Sequence, residues 1–132
     1  MGLKLKGLDH LVLRVKDLEA MIAFYRDVLG MAVERRQDAI GLVQLRAGAQ
    51  LVDLVAVDGR LGRMGGAAPG AEGRNLDHFC LNVEGFDLAA VTAHLRAHGV
   101  RVGDSGLRYG AGGEGLSVYL TDPEGNGLEL RG

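Results

Sequence analysis

The amino-acid sequence predicts an α+β fold in which two βαβββ modules form a curved mixed sheet with helices on its outer face. The first observation is a repeat: LDHLVLRV at residues 8–15 returns as LDHFCLNV at residues 76–83, with five of eight positions identical. The second is that an amphipathic helical stretch, a glycine and further strand-like runs follow each copy in the same order. The third is the glycine content, 22 of 132 residues, which suits a fold with many turns.

The first module is expected to span about residues 5–57. After its first strand, DLEAMIAFYRDVLG places apolar side chains at three- and four-residue steps, which predicts a helix with one buried face. Gly30 supplies the left-handed conformation that closes such a helix. The remaining apolar runs predict three strands, at residues 32–37, 40–46 and 50–57.

The second module is expected to span about residues 75–132. Its helical stretch, GFDLAAVTAHLRAHG, has one apolar face and ends at Gly99. Strands are predicted at residues 100–102, 116–121 and 127–131. The last two are joined by DPEGN, in which Pro presets the first turn dihedral and Gly accepts a positive φ, so they form a hairpin.

The two modules are separated by residues 58–74, DGRLGRMGGAAPGAEGR. This stretch is rich in glycine, which predicts a flexible connector or a lid. The whole chain, residues 1–132, has the length of one typical domain and is expected to form a single one.

Composition excludes several classes of partner. Fifteen basic and seventeen acidic residues give a net charge of −2 without long blocks of one sign, so we expect no binding to nucleic acid or to an acidic membrane. No apolar run approaches the roughly 18 residues of a membrane-spanning helix, and the first residues lack a signal-peptide pattern. Cys80 is the only cysteine, which excludes an internal disulfide. We therefore expect a cytoplasmic protein that binds a small molecule.

Four chemically useful side chains occupy equivalent positions in the two modules. His10 and His78 lie at the same place in the repeated strand. Asp53 and Glu129 each interrupt an apolar strand near the end of their module, where a buried carboxylate needs a cation, a hydrogen-bond network or solvent. A duplicated fold would bring one imidazole and one carboxylate from each module to a shared centre, which predicts a metal site.

The types of ligand narrow the choice of metal. Two imidazoles with one or two carboxylates suit Zn²⁺, Ni²⁺, Mn²⁺, Co²⁺ or Fe²⁺ and argue against Ca²⁺. Such an ion would polarise a carbonyl and stabilise a developing enediolate, and a displaced carboxylate would act as the base. Arg14 shares a strand face with His10 and is a candidate for substrate binding, with an ordinary rim salt bridge as the alternative.

Other features have ordinary explanations. GAGGEG at residues 110–115 has the letters of a dinucleotide-binding fingerprint, but a strand-like run follows it instead of a helix, so we expect a hairpin loop. His94 and His98 lie one turn apart on the second helix without a further ligand and are expected at the surface. Cys80 is expected to be a small buried hydrophobe.

The segments LDHLVLRVKDLEAMIAFYRDVLGM, LDHFCLNV and DPEGNGLEL, within the βαβββ repeat, resemble the vicinal oxygen chelate superfamily, which has the glyoxalase/bleomycin resistance/dioxygenase fold. Its members include glyoxalase I, methylmalonyl-CoA epimerase, extradiol dioxygenases, and fosfomycin and bleomycin resistance proteins. The resemblance covers essentially the whole chain. Its likeness to glyoxalase I implies metal ligation by His10, Asp53, His78 and Glu129, proton transfer by Glu129, and a lyase or isomerase-like activity on a substrate with adjacent oxygens. It also implies a homodimer.

One residue departs from the glyoxalase I pattern. Asp53 stands where that pattern has Glu or Gln, and its side chain is shorter by one bond, roughly 1.5 Å. An alternative without Asp53 is a triad of His10, His78 and Glu129, similar to extradiol dioxygenases with Fe²⁺ or fosfomycin-type thiol transferases with Mn²⁺. A third alternative is a non-catalytic small-molecule binding protein of the bleomycin-resistance kind, in which the histidines are packed residues.

Overall fold

A repeated strand–helix–three-strand pattern organises the chain. The structure is a computed structural model that describes residues 2–132. The chain divides after Ala68 into two compact units, and each unit contains one βαβββ module. The predicted fold class and the duplication are therefore confirmed.

The described part of the first unit contains four strands and one α-helix. Their bounds are β1 His10–Val15, α1 Leu18–Ala23, β2 Ala32–Gln37, β3 Leu42–Ala47 and β4 Gln50–Ala56. The strands form a mixed sheet in the order β1-β4-β3-β2, in which β1 runs parallel to β4 and the other neighbours are antiparallel.

The helix of the first unit packs its apolar face on the sheet. Asp17 caps its start by accepting a hydrogen bond from the Ala20 backbone N–H at 3.1 Å. The predicted helix is present, but its second half, Phe24–Val28, is a π-helical turn. The core of this unit consists of side chains that are at most 2% exposed: Leu13, Val15, Met21, Ile22, Tyr25, Val43, Leu45, Val52 and Leu54.

The second unit repeats this topology. The bounds of its elements are β5 His78–Asn82, α2 Leu88–Ala97, β6 Ser105–Gly110, β7 Gly113–Thr121 and β8 Gly127–Arg131. The strands form a mixed sheet in the order β5-β8-β7-β6, again with the first and last strands of the module parallel. Leu95 of the helix and Val118 and Leu128 of the sheet are fully buried and form its core.

The prediction of a strand at residues 100–102 is wrong. The backbone N–H of Val100 still bonds back to the helix carbonyl of Leu95 at 2.9 Å, so this part of the chain completes the helix cap. The strand begins only at Ser105, after Gly103 and Asp104 have joined the edge of β7 through backbone hydrogen bonds to Tyr119. Glycines at both ends of this strand concealed it from a pattern based on apolar alternation.

Residues 110–115 form a hairpin, as predicted. Gly110 and Gly113 are paired across the two strands, and only Ala111 and Gly112 form the turn. None of the described helices combines the length and hydropathy needed to cross a membrane.

Candidate functional site

In the second unit, an imidazole and a carboxylate lie side by side on one face of the sheet. His78 Nε2 is 3.3 Å from Glu129 Oε1. The two residues belong to the parallel neighbours β5 and β8, in which Glu129 is in register with Cys80, two residues beyond His78. The His78 side chain is 40% exposed and that of Glu129 only 7%, so the pair has one open side.

The ring of His78 is oriented by the residue before it. Its Nδ1 lies 2.6 Å from Asp77 Oδ1. Because a carboxylate only accepts hydrogen bonds, Nδ1 carries the proton, and in the neutral ring Nε2 presents its lone pair on the side of Glu129. Histidine ligands of metals are commonly oriented by a carboxylate in this way, so the donor set fits a divalent ion. The hydrogen bond with Asp77 raises the pKa of His78 despite partial desolvation, and the charge of Glu129 adds to the rise.

A buried hydroxyl holds Glu129. Ser117 is fully buried on β7, and its Oγ donates a hydrogen bond to Glu129 Oε2 at 2.5 Å. Desolvation raises the pKa of Glu129, but the hydrogen bond from Ser117, the donors of Tyr119 and Cys80, and the nearby His78 outweigh it, so that the net pKa is lowered. Glu129 is therefore ionised at neutral pH, as both a ligand and a base must be.

The first unit repeats the arrangement on β1 and β4. His10 Nδ1 lies 2.7 Å from Asp9 Oδ1, matching the pairing of His78 with Asp77. Asp53 is in register with Val12, two residues beyond His10, as Glu129 is with Cys80. The hydrogen bond with Asp9 raises the pKa of His10, and the charge of Asp53 contributes as the second cause.

Asp53 and Glu129 have different side-chain partners. Its side chain is buried, and Gln44 on β3 donates from Nε2 to both carboxylate oxygens at 3.3 and 3.4 Å. Among the described residues of this unit, no nitrogen of His10 lies within 4.0 Å of an Asp53 oxygen. The shorter side chain of Asp53 thus accepts hydrogen bonds from Gln44, whereas the side chain of Glu129 contacts His78.

The predicted ligands therefore occur as two pairs, one in each unit. Taken unit by unit, the described residues contain no group of three His, Cys, Asp or Glu side chains arranged to hold a metal ion. Each unit offers one imidazole and one carboxylate on the same sheet face.

Sequence reasoning missed the residues that orient these pairs. Asp9 and Asp77 had a usable signal, because both belong to the repeated LDH tripeptide. Ser117 and Gln44 had none, since their roles depend on the register between strands, which the sequence does not show.

Arg14 is occupied by the connector between the modules. Its guanidinium donates hydrogen bonds to the backbone oxygens of Gly62, Gly66 and Ala67 at 2.8, 2.8 and 2.9 Å. A 3-10 turn at Gly62–Gly65 gives this part of the connector regular structure. Arg14 thus orders the glycine-rich segment, and its binding of substrate stays a prediction.

Cys80 is exposed, so the expectation that it is a buried hydrophobe is wrong. It lies between His78 and Asn82 on the open face of β5. Local desolvation, followed by the negative charge of Glu129, raises the pKa of its thiol to about 11. The thiol is therefore protonated at neutral pH.

Comparison with known proteins agrees with the fold. Residues 7–130 match the family model described as the Glyoxalase/Bleomycin resistance protein/Dioxygenase superfamily. The glyoxalase domain-containing protein RDO1 of Mycosarcoma maydis is 33% identical over 129 residues, covering 97% of this chain and 69% of that protein. Virulence protein STM3117 of Salmonella typhimurium is 30% identical over 129 residues, covering 93% of this chain and 81% of that protein.

Solved structures share the fold over nearly the whole chain. The crystal structure of STM3117 superposes with a TM-score of 0.79 and 26% identity, covering 98% of both chains. The integron cassette protein VCH_CASS1 from the mobile metagenome of V. cholerae has a TM-score of 0.78 and 28% identity, covering 99% of this chain and 98% of that one. The βαβββ duplication is therefore shared with these proteins.

Proposed function

The chain belongs to the Glyoxalase/Bleomycin resistance protein/Dioxygenase superfamily, and on this premise we propose that it is a metal-dependent enzyme of the glyoxalase I type. Its substrate would be a small molecule with adjacent oxygens, such as the hemithioacetal of a thiol and a 2-oxoaldehyde, and its reaction a lyase or isomerase-type proton transfer. The ion would be Ni²⁺, Zn²⁺, Mn²⁺, Co²⁺ or Fe²⁺. A homodimer and a cytoplasmic location form part of the same proposal.

The observation that carries this proposal is the pair His78 and Glu129. The two side chains are 3.3 Å apart, and each is oriented by a further residue, Asp77 or Ser117. The second unit therefore holds a nitrogen donor and an ionised oxygen donor in fixed positions with one side open. In the proposal, His10 and Asp53 supply the corresponding pair from the first unit.

Each residue then has a defined task. When bound, the ion polarises the substrate carbonyl and stabilises the negative charge that develops on the adjacent oxygens. His10 and His78 supply imidazole nitrogens, because Asp9 and Asp77 hold the opposite side of each ring. Glu129, ionised and steadied by Ser117, takes the proton from the carbon beside the carbonyl and returns it to the neighbouring carbon.

The test is metal content paired with turnover. The purified protein is expected to contain one divalent ion per chain and to convert methylglyoxal plus thiol. His78→Ala and Glu129→Gln should each lose the ion, whereas His94→Ala, an exposed histidine on α2, should keep it. Retention of the ion in both site variants would refute the assignment. A wild-type protein that takes up no divalent ion would instead favour a non-catalytic binding protein.

A triad of His10, His78 and Glu129 is the second candidate, because Asp53 is held by Gln44 and makes no close contact with His10 in the described part of its unit. Asp53→Ala distinguishes the two. The glyoxalase I type predicts loss of the ion and of methylglyoxal turnover in this variant, whereas the triad predicts that the ion is retained. Turnover of a catechol with Fe²⁺, without turnover of methylglyoxal, would favour the triad in its dioxygenase form.

A further inference from the structure

A buried arginine lies two residues beyond Glu129 on the same face of β8. Arg131 is only 6% exposed. Its Nη2 donates to the backbone oxygen of Gly113 at 2.7 Å. Throughout residues 2–132, no carboxylate forms an ion pair with this guanidinium. Arg131 is thus a buried cation without an anionic partner in the described chain.

Glycines of the β6–β7 hairpin make room for this guanidinium. A Cβ at Gly110 would lie 1.7 Å from Arg131 Nη1, and a Cβ at Gly115 would lie 2.8 Å from Nη2. Gly113 has a φ of 98°, which other residues rarely adopt, and its carbonyl is the acceptor. The glycine-rich run GAGGEG therefore forms a cradle whose occupant is the side chain of Arg131.

The fold of the module does not require this cation. Arg131 is in register with Ser117, and the corresponding pair in the first unit is Val55 with Leu42. Val55 stands two residues beyond Asp53, as Arg131 stands two residues beyond Glu129, and it is also buried. The same position accepts an apolar side chain in one unit, so the arginine and its glycine cradle are specific to the second.

Electrostatics points to an anionic ligand. A guanidinium has five N–H donors, and burial of its charge without a counter-ion is unfavourable. The Gly113 oxygen accepts from Nη2. In the part of the chain that the structure describes, none of the Arg131 nitrogens is sealed from solvent without a partner, so the remaining donors are accessible. A planar fork of this kind matches a carboxylate in two parallel hydrogen bonds.

We propose that Arg131 is a substrate-positioning residue that binds a carboxylate of the substrate beside the pair His78 and Glu129. This inference rests on the proposed function for the placement of the vicinal oxygens. Arg131 and Glu129 are two residues apart on one strand, so their Cα atoms lie on the order of 7 Å apart on the same face of the sheet. The charge of Arg131 also acts to lower the pKa of Cys80, which is in register with Glu129. The substrate class is accordingly a hydroxy or oxo acid, or a thiol adduct of one, with its carboxylate next to the vicinal oxygens.

Binding of two small probes of similar shape tests the inference directly. Lactate and propane-1,2-diol share a three-carbon skeleton and the hydroxyl on its central carbon, but only lactate is an anion. Amide chemical shifts of Gly110, Gly113 and Gly115 are followed during titration of the ¹⁵N-labelled protein after chelation, so that no divalent ion binds the carboxylate of the probe. Lactate is expected to shift these amides and to bind at least about tenfold more tightly than the diol, a preference of roughly 1.4 kcal/mol.

Variants assign the preference to one side chain. Arg131→Gln should bind lactate as weakly as the diol, with its diol affinity unchanged, and Arg131→Lys should keep part of the preference through its charge. Arg96→Gln, an exposed arginine on α2, should behave as wild type. If Arg131→Gln remains folded and binds lactate as tightly as wild type, the inference is overturned.

Two further measurements keep the inference separate from protein stability and from the metal. Wild-type glycine amides that respond equally to lactate and to the diol would overturn it whether or not the variants fold. Tighter binding of inorganic phosphate than of lactate would overturn the carboxylate assignment. Repeating the titration with metal-loaded protein separates the two proposals: failure to take up the metal defeats the proposed function, whereas the lactate response of the cradle is read without it.

Discussion

At the scale of single residues, the two modules place their carboxylates in equivalent register but hold them differently. Glu129 accepts a hydrogen bond from the buried Ser117 and contacts the ring of His78. Asp53 is shorter and is held by the amide of Gln44. The extra methylene of glutamate, together with the short contact to Ser117, therefore accounts for the difference between the two pairs.

Ser117→Ala tests whether this hydroxyl positions Glu129. The change leaves Oε2 without its buried donor, so divalent metal affinity should fall about 10- to 100-fold. The free energy of unfolding should fall by about 1–3 kcal/mol, because a buried acceptor becomes unsatisfied. Isothermal titration with the metal and denaturant unfolding measure the two effects.

Ser105→Ala is the matched control for this variant, because Ser105 is exposed on the edge strand β6. It should change neither quantity. A Ser117→Ala protein that is less stable but binds the ion with unchanged affinity would reduce Ser117 to a packing role.

The sequence singles out the candidate residues with titratable side chains but not the residues that form hydrogen bonds with them. His10, His78, Asp53 and Glu129 each stand out against an apolar strand, and the repeat makes them equivalent. Ser117 does not stand out, because its contact with Glu129 arises only once β7 and β8 pair in a given register. Long-range register is the information that local patterns lack.

Among the secondary-structure elements, the central strands and the second helix followed their sequence patterns. The first helix departed by ending in the π-helical turn Phe24–Val28, and the other departures occurred at glycines. Three of the strands in the first unit lie within about two residues of their predicted bounds, because apolar alternation and turn signals agree there. The edge strand β6 was missed, since glycine carries no pattern of burial. The connector was expected to be flexible, yet Arg14 gives it an anchor from another element.

Arg14→Ala tests whether this anchor orders the connector. The backbone N–H of Met64 closes the 3-10 turn on the oxygen of Leu61 at 3.2 Å, and the N–H of Arg63 bonds to the oxygen of Gly59 at 3.0 Å. Loss of the charged donor should open the turn, and amide hydrogen exchange at these two positions should accelerate about tenfold, equivalent to roughly 1.4 kcal/mol of local stability. Arg35→Ala, exposed on β2, should leave both amides unchanged. Unaltered exchange in Arg14→Ala together with weaker substrate binding would instead support the role in binding substrate.

Across the chain, the duplication places one histidine and one carboxylate of the candidate site in each unit. Each unit has its own sheet, its own buried core and one histidine oriented by the preceding aspartate. The modules diverge at their hairpins, where the first uses a 3-10 turn at Asp38–Ile40 and the second uses the glycine cradle around Arg131. Equivalent strands thus carry the proposed metal ligands, while the hairpins differ between the modules.

In the proposed site, protons and the divalent ion compete for the same imidazoles. A rise in pH should therefore weaken the contribution of the histidines to stability and strengthen that of the ion. In the metal-free protein the pKa values of His10 and His78 are raised above the ordinary 6.5. Their contribution to stability is then fully present below that value and is lost as pH rises through the raised pKa. An ion requires neutral rings, so its stabilisation grows over the same range and reaches about 2.7 kcal/mol at a hundred times its Kd.

The gap in melting temperature between metal-loaded and chelated protein should therefore be small near pH 5.5 and widest at about pH 8, above the usual titration range of histidine. Thermal unfolding across this range, with and without EDTA, measures the gap. In His78→Ala the gap should vanish at every pH, since the nitrogen donor of the second unit is gone, while His94→Ala should reproduce the wild-type curve. A gap that persists unchanged down to pH 5.5 would mean that the ion is held by groups other than these histidines.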